Sequence, residues 1–112
     1  MTGQRRRRLL TATAMLFAIS AGIAKIASAE TIRVEVKNLA FAPAQIVAHV
    51  GDTIEWVNHD FVTHTATARD GAWDVKLPPN AAGRTVLKRP GRHAYYCRYH
   101  PNMKGEIVVA PQ

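Results

Sequence analysis

The chain has 112 residues, 47% of them apolar, which is the size and composition of one small folded domain. Its formal net charge is +7, but five of the 15 basic residues and none of the eight acidic residues lie in the first 29 positions. Without that segment the net charge would be +2, so the basicity gives no support to nucleic-acid binding.

The N-terminal segment has the pattern of an export signal. The basic run Arg5 to Arg8 precedes a mostly apolar stretch from Leu9 to Ala24, and Ala27-Ser28-Ala29 matches the small-residue motif of a signal-peptidase site. A membrane-spanning helix needs about 20 apolar residues, whereas this stretch is shorter and is interrupted by Thr, Ser and Gly. We therefore predict a cleaved signal peptide over residues 1–29 and export to the periplasm, by either the general or the twin-arginine route.

The remaining 83 residues form one predicted domain, residues 30–112. Short runs of alternating apolar and polar residues are separated by turn residues, and no amphipathic stretch is long enough for a helix. The predicted strands, in chain order, cover residues 32–37, 46–50, 53–57, 64–68, 73–77, 84–88, 93–97 and 106–109. This pattern predicts an all-β Greek-key sandwich of about seven to eight strands. Antiparallel pairing is expected because no connection is long enough for a crossover helix.

A Cys-x-x-His-x-x-Met run, Cys97 to Met103, contains the only cysteine of the chain. Two imidazoles and one thiolate with a weak axial thioether form the blue-copper electron-transfer site. An exported chain with one cysteine cannot form an internal disulfide, and a bound metal would protect the thiol. The run supplies three of the four ligands, so a second histidine must come from elsewhere.

Four further histidines are candidates for this ligand. His49 lies inside a predicted strand among apolar residues, which is typical of a surface or packed side chain. His93 shares a strand face with Cys97 but lies roughly 13 Å away along the strand, too far for one metal. His59 and His64 both follow the strand over residues 53–57, and the spacing alone does not choose between them.

Two motifs resemble those of the small cupredoxins. Trp56 to Thr65 is similar to their W-x-N-x-D-x-x-x-H-T stretch, and Cys97 to Gly105 is similar to the C-x-x-H-P-x-M-[KR]-G loop of the amicyanin-type members. The turns Gly51-Asp52 and Pro90-Gly91 also match. The resemblance implies the cupredoxin fold and one copper ion, Cu(I)/Cu(II), in a mononuclear type 1 site. The implied ligands are His64, Cys97, His100 and Met103.

The resemblance also implies a role for residues around the ligands. The backbone N–H of Thr65 is expected to donate to the Cys97 sulfur, and Asn58 is expected to tie the ligand loops together. His59 falls at a variable loop position and is not expected to bind the metal. Two features differ from amicyanin: Arg98-Tyr99 lacks the proline found there, and Asn102 stands where phenylalanine is common.

The implied function is one-electron transfer by a monomeric carrier, with no catalytic residue and no enzymatic activity. Its partners would be redox proteins bound transiently, a c-type cytochrome or a dehydrogenase such as methylamine dehydrogenase, with no nucleic acid and no stable membrane insertion. Arg98 and Lys104 are candidates for steering an acidic partner. Pro101, with Pro43 and Phe41, is a candidate apolar patch around His100.

Two alternatives come from other classes of protein. A periplasmic copper-binding or delivery protein would use the same ligands for transport of the ion. A structural zinc module is less compatible with the motif, because zinc rarely accepts a thioether such as that of Met103. Taken singly, a buried cysteine or methionine is usually core filler, and the joint spacing is what favours a metal site.

Overall fold

A computed structural model describes Gly3 and residues 28–112 of the chain. The predicted signal peptide, residues 1–29, lies almost entirely outside the described residues. The described part of the chain contains no helix long and apolar enough to span a membrane. It is all-β, with nine strands: β1 (Thr31–Lys37), β2 (Ala40–Ala42), β3 (Gln45–His49), β4 (Thr53–Asn58), β5 (His64–Ala68), β6 (Asp74–Leu77), β7 (Ala82–Val86), β8 (Gly91–Tyr96) and β9 (Lys104–Ala110).

The strands form two sheets that pack as a sandwich. One sheet has the order β2-β1-β4-β7 and the other has the order β3-β9-β8-β5-β6. Alternation decides which side chains face inward: Val34 and Val36 of β1 are fully buried, as are Ile54 and Trp56 of β4, while the residues between them are partly exposed. The prediction of an all-β sandwich is confirmed.

Antiparallel pairing was expected, and it predominates, but two of the seven strand pairings are parallel. β1 pairs in parallel with β4, and β3 pairs in parallel with β9. Between β1 and β4 the chain crosses to the other sheet, forms β3 there and returns, so a strand of the opposite layer takes the place of the crossover helix. The other five pairings are antiparallel.

Most predicted strands overlap those of the structure, but β7, β8 and β9 begin two residues earlier than predicted and one strand was missed. β2 was not predicted, because a three-residue strand with one buried side chain, Phe41, is too short to show a period. β7 was predicted two residues late. It is an edge strand with only partly buried side chains, and its position is fixed by pairing with β4, where Glu55 lies opposite Arg84.

An aromatic cluster fills the core directly beneath one end of the sandwich. The Trp56 indole Nε1–H donates to the Tyr95 hydroxyl at 3.3 Å, and the Phe41 ring lies 4.7 Å from the Tyr95 ring. Burial raises the pKa of Tyr95 to about 12, so its hydroxyl stays protonated. Because Phe41 is buried in this cluster, its predicted place in a surface patch was wrong. The packed rings support the chain at Cys97, which follows Tyr95 by two residues.

Candidate metal centre

Three of the four predicted ligands, His64, Cys97 and His100, come together at one end of the sandwich, and Met103 is buried in the same loop as His100. His64 is the first residue of β5, and Cys97 directly follows β8. His100 and Met103 lie in the loop from β8 to β9, which is closed by backbone hydrogen bonds from Cys97 N–H to the Met103 carbonyl (3.1 Å) and from Met103 N–H to the His100 carbonyl (2.8 Å). Two antiparallel strands and one tight loop therefore place residues that are more than 30 positions apart.

Three donor atoms form a compact triangle. The Cys97 Sγ lies 3.7 Å from the Nδ1 atoms of both His64 and His100, and those two Nδ1 atoms are 3.1 Å apart. A point equidistant from the three atoms lies about 2.0 Å from each, close to the bond lengths of about 2.0–2.3 Å found for nitrogen and sulfur ligands of zinc. The donor set and its spacing therefore fit a first-row metal ion without movement of the chain.

Asp60 fixes the orientation of the His64 ring. Its Oδ2 accepts a hydrogen bond from His64 Nε2 at 2.8 Å, so the ring proton stays on Nε2 and the lone pair of Nδ1 faces the site. Burial opposes ionisation of Asp60, but hydrogen bonds from Leu39 N–H, the His64 ring and Asn38 N–H lower its pKa below the usual value. The carboxylate thus joins the β1–β2 turn to a predicted ligand.

Thr65 holds the sulfur and the start of the ligand loop. Its backbone N–H donates to Cys97 Sγ at 3.4 Å, as the resemblance implies, and its Oγ1 accepts from Arg98 N–H at 2.9 Å. The Thr65 hydroxyl lies 2.9 Å from Thr67 Oγ1, which lies 2.8 Å from the Asp74 carboxylate. Arg98 also forms an ion pair with Asp74 at 3.4 Å. β5, β6 and the ligand loop are therefore cross-linked beside the thiol.

Asn58 braces the segment that precedes His64. Its Nδ2 donates to the carbonyls of Val62, Leu77 and Pro78, at 2.9, 3.0 and 3.2 Å, and its Oδ1 accepts from Asp60 N–H at 2.9 Å. The side chain is fully buried. It therefore ties the β4–β5 loop, which precedes His64, to the end of β6, while none of these hydrogen bonds reaches the Cys97–Met103 loop that it was also expected to join.

The donors differ in their access to solvent. His64 and Cys97 are fully buried and Met103 is 2% exposed, whereas His100 is half-buried. His100 lies in the wall of a cavity of about 330 Å³, which it shares with Leu39, Tyr99, Pro101, Asn102 and Met103. Of the four predicted ligands, His100 is therefore the one most open to solvent.

The remaining histidines lie away from the donor triangle. The His49 ring is 61% exposed, on the outer face of β3. His59 contacts the Glu35 carboxylate. His93 is buried, its Nδ1 lies 2.5 Å from Asp70 Oδ2, and its Nε2 donates to the Arg89 carbonyl at 2.9 Å. Within residues 28–112, His64, Cys97 and His100 form the one group of His, Cys, Asp and Glu side chains spaced to hold a metal ion.

Several residues around the site were not singled out from the sequence. Asp60 is part of the W-x-N-x-D-x-x-x-H-T stretch, so its presence was visible although its contact with His64 was not. Asp74 and Leu39 gave no signal, because they come from β6 and from the β1–β2 turn. Their proximity to the site depends on sheet order, which a local pattern does not contain.

Comparison with known proteins agrees with this architecture. A family model described as "Cupredoxin-like domain" matches residues 9–109. The chain is 33% identical to methylamine utilization protein MauL of Methylorubrum extorquens over 98% of both chains, and 25% identical to amicyanin of Paracoccus denitrificans over 70% of this chain and 64% of that protein.

Solved structures give the same result. The structure of a Cu(I) form of an amicyanin mutant superposes with a TM-score of 0.64 and 26% identity, covering 71% of this chain and 82% of that one. The chain belongs to the cupredoxin family and is an amicyanin-like cupredoxin.

Proposed function

We propose that this chain is a periplasmic one-electron carrier that binds one copper ion through His64, Cys97, His100 and Met103. The observation that carries the proposal is the triangle of Cys97 Sγ and two histidine Nδ1 atoms, with distances of 3.1 and 3.7 Å, while Met103 is buried in the same loop as Cys97 and His100. One thiolate, two imidazoles and a thioether are the ligand set of blue-copper centres. Bound copper supplies the chemistry, a change of one electron between Cu(I) and Cu(II).

The protein contributes a fixed environment for that change. Asp60 and Thr65 hold His64 and Cys97 by hydrogen bonds, and Asn58 braces the loop before His64, so the donor positions depend on the fold and not on the ion. A site that moves little between oxidation states exchanges electrons readily. His64, Cys97 and Met103 are buried and the four proposed ligands would complete the coordination of the ion, which supports a carrier in preference to an enzyme.

The domain limits form part of the proposal. Residues 1–29 would be removed on export, and residues 30–112 would remain as a single cupredoxin domain. The strands of the described residues lie between Thr31 and Ala110, within the proposed domain. Export also suits a lone thiol that is occupied by a metal in an oxidising compartment.

The face around His100 is the proposed contact for redox partners. Exposed apolar side chains lie on the loops at this end, with Leu39 exposed by 53%, Tyr99 by 51% and Phe61 by 91%. A small apolar face with a half-buried metal ligand suits a transient redox encounter. The name of the 33% identical relative refers to methylamine utilization, which supports a dehydrogenase of that metabolism as electron donor and a c-type cytochrome as acceptor.

Copper delivery is the second candidate function for the same ligands. Release of the ion would require the buried donors and the hydrogen-bonded loop to open, and this favours electron transfer. We expect electron exchange with a cytochrome to be faster than transfer of copper to a metal-free acceptor. The opposite order of rates would assign the chain to delivery.

Addition of Cu(II) to the mature chain tests the copper site. We expect an intense visible charge-transfer band from a Cu–thiolate bond, lost in Cys97→Ser because the thiolate is removed. His59→Ala is the matched control and should keep the band, since His59 contacts Glu35 and not the donors. A chain that binds copper without the band, or a Cys97→Ser variant that retains it, would contradict the proposed ligand set.

A further inference from the structure

The backbone nitrogen of Glu30 is held by a buried carboxylate at the end of the sandwich. Glu30 N–H donates to Asp52 Oδ1 at 2.9 Å, and the second oxygen of Asp52 accepts from His49 N–H at 2.8 Å. The Glu30 carbonyl accepts from Thr53 N–H at 2.8 Å. The backbone N–H and the carbonyl of Glu30 are therefore both hydrogen-bonded before β1 begins at Thr31.

Asp52 is a buried carboxylate, and few positively charged groups lie near it among the described residues. It is 6% exposed, and hydrogen bonds from Glu30 N–H and His49 N–H lower its pKa, so it is an anion at neutral pH. His49 Nδ1 lies 3.9 Å away on a ring that is 61% exposed. Leu87 N–H donates to the Asp52 carbonyl, and the exposed Lys88 follows it. A buried carboxylate is normally paired with a cation.

We propose that Asp52 is the docking site for the α-ammonium group of Glu30 that is created when the chain is cleaved after Ala29. This rests on the cleavage site given in the proposed function. Hydrolysis of the Ala29–Glu30 bond consumes one water, leaves a carboxylate on Ala29 and leaves an amine on Glu30 that binds a proton. The nitrogen already lies 2.9 Å from Asp52 Oδ1, so the ion pair forms without movement of the strand.

Cleavage changes the character of this contact. In the uncleaved chain a neutral amide N–H meets the carboxylate, whereas in the mature chain an ammonium group does. The amide contact already has one charged partner, and cleavage adds a full positive charge beside the buried carboxylate, so that each charge favours the ionised form of the other. Processing would therefore stabilise the mature domain at the edge where β1 meets β4.

The pH dependence follows from the two ionising groups. An unfolded α-amino group has a pKa of about 7.7–8.0, and the nearby carboxylate raises it in the folded chain. The stabilisation is fully present below about pH 8 and is lost as pH rises through the folded pKa. For Asp52, whose pKa is lowered, the contribution is present above about pH 3.9 and is lost as pH falls.

Two chains that differ by one residue test the proposal. The first begins with a free amine on Glu30, and the second begins at Ala29, so that the Glu30 amide N–H is kept while the charge is displaced. We expect the Glu30 amine to titrate about one unit higher than an unfolded amine, with a folding equilibrium at pH 6.5 about tenfold higher for the first chain. The difference should vanish at pH 10. Glu30→Gln in both chains controls for the Glu30 side chain.

Asp52→Asn in both chains isolates the ion pair. The substitution also weakens the contact with His49 N–H, so each single loss of stability is less informative than the coupling between the two changes. We expect the difference between the two chains to disappear in Asp52→Asn. A difference that persists there, or two chains of equal stability and equal amine pKa, would overturn the docking site.

The mass of the exported protein separates this inference from the cleavage on which it rests. If the measured mass is that of a chain that begins at Glu30, and the coupling is also observed, the docking site is supported in the exported protein. A mass that corresponds to a different first residue overturns the cleavage site and the docking site with it. Folding equilibria are measured with and without copper, so the result does not depend on metal binding.

Discussion

Two Asp–His pairs show how the same contact serves different purposes at the level of single residues. Asp60 contacts the His64 ring at 2.8 Å, and Asp70 contacts the His93 ring at 2.5 Å. Only His64 presents its other ring nitrogen to the donor triangle. The second ring nitrogen of His93 donates to the Arg89 carbonyl. The Asp70–His93 pair is therefore part of the scaffold.

Replacement of each aspartate should therefore give different results. We expect Asp60→Ala to weaken copper binding by about 10–100-fold, since the ring orientation of a ligand histidine is no longer fixed. Asp70→Ala should lower stability and leave copper affinity unchanged. Competition with a chelator measures the copper affinity of both variants. Equal affinities for the two variants would contradict the role of Asp60.

Leu39 adopts a backbone conformation that suits another residue. Asn38 and Leu39 form the two-residue turn between β1 and β2, with φ of 52° and 58°. Such turns favour Asn-Gly, because a side chain in the left-handed region costs about 1–2 kcal/mol. The exposed Leu39 side chain lies in the wall of the cavity beside His100, so it carries strain at the proposed contact face.

We expect Leu39→Gly to raise the free energy of unfolding by about 0.5–1 kcal/mol, since it relieves the strain while adding flexibility to the unfolded chain. The same change should slow electron transfer to the true partner, because the contact face loses apolar area. Urea denaturation and stopped-flow kinetics measure the two effects. Val47→Gly is the control, since Val47 is 72% exposed on β3 and should not affect the transfer rate.

At the level of elements, β8 and β9 are packed without room for an added side chain. A Cβ atom placed on Gly105 would lie 2.3 Å from Tyr95 Cζ, because the Tyr95 ring covers the glycine opposite it in the strand pair. Tyr95 is also held by Trp56 and Phe41. The ring therefore cannot move without disturbing the core beneath Cys97.

Gly105→Ala should lower the free energy of unfolding by about 1–3 kcal/mol through overpacking, read from the denaturant midpoint. In a Tyr95→Leu background the same change should cost less, because the ring that causes the clash is absent. An equal cost in both backgrounds would show that the effect comes from the strand backbone.

At the level of the whole molecule, acid stability depends on carboxylates that link distant segments. Asp52 has a lowered pKa through N–H groups of Glu30 and His49. Asp70 is exposed, and although partial desolvation opposes its ionisation, the Ala72 N–H, the His93 ring and the Arg89 charge lower its pKa. Both contribute stability above the unfolded value of about 3.9, and the contribution is lost as pH falls through the folded pKa.

The chain should therefore lose stability progressively below about pH 4. Asp52→Asn and Asp70→Asn should each be less stable at neutral pH and should show a shallower fall between pH 4 and pH 2. Denaturation at fixed pH values measures the slope. Lys76→Gln is a control with an unchanged slope, since Lys76 lies outside both networks, and an unchanged slope in the two aspartate variants would contradict their role.

The sequence by itself determined the fold class and the ligand motifs. Alternating apolar residues set the inner face of each long strand, and these are local properties of the chain. The Cys97 to Met103 loop also carries three of the four predicted ligands within seven residues. Similarity of two segments to the cupredoxins then supplied His64, which spacing alone could not choose over His59.

The tertiary structure decided what depends on neighbours that are distant in sequence. Parallel pairing of β1 with β4, the short strand β2 and the edge position of β7 follow from sheet order and not from local period. The contacts of Asp60 with His64 and of Asp52 with Glu30 join residues whose proximity no local pattern encodes. Side chains that reach across elements acquire their roles only when packing brings those elements together.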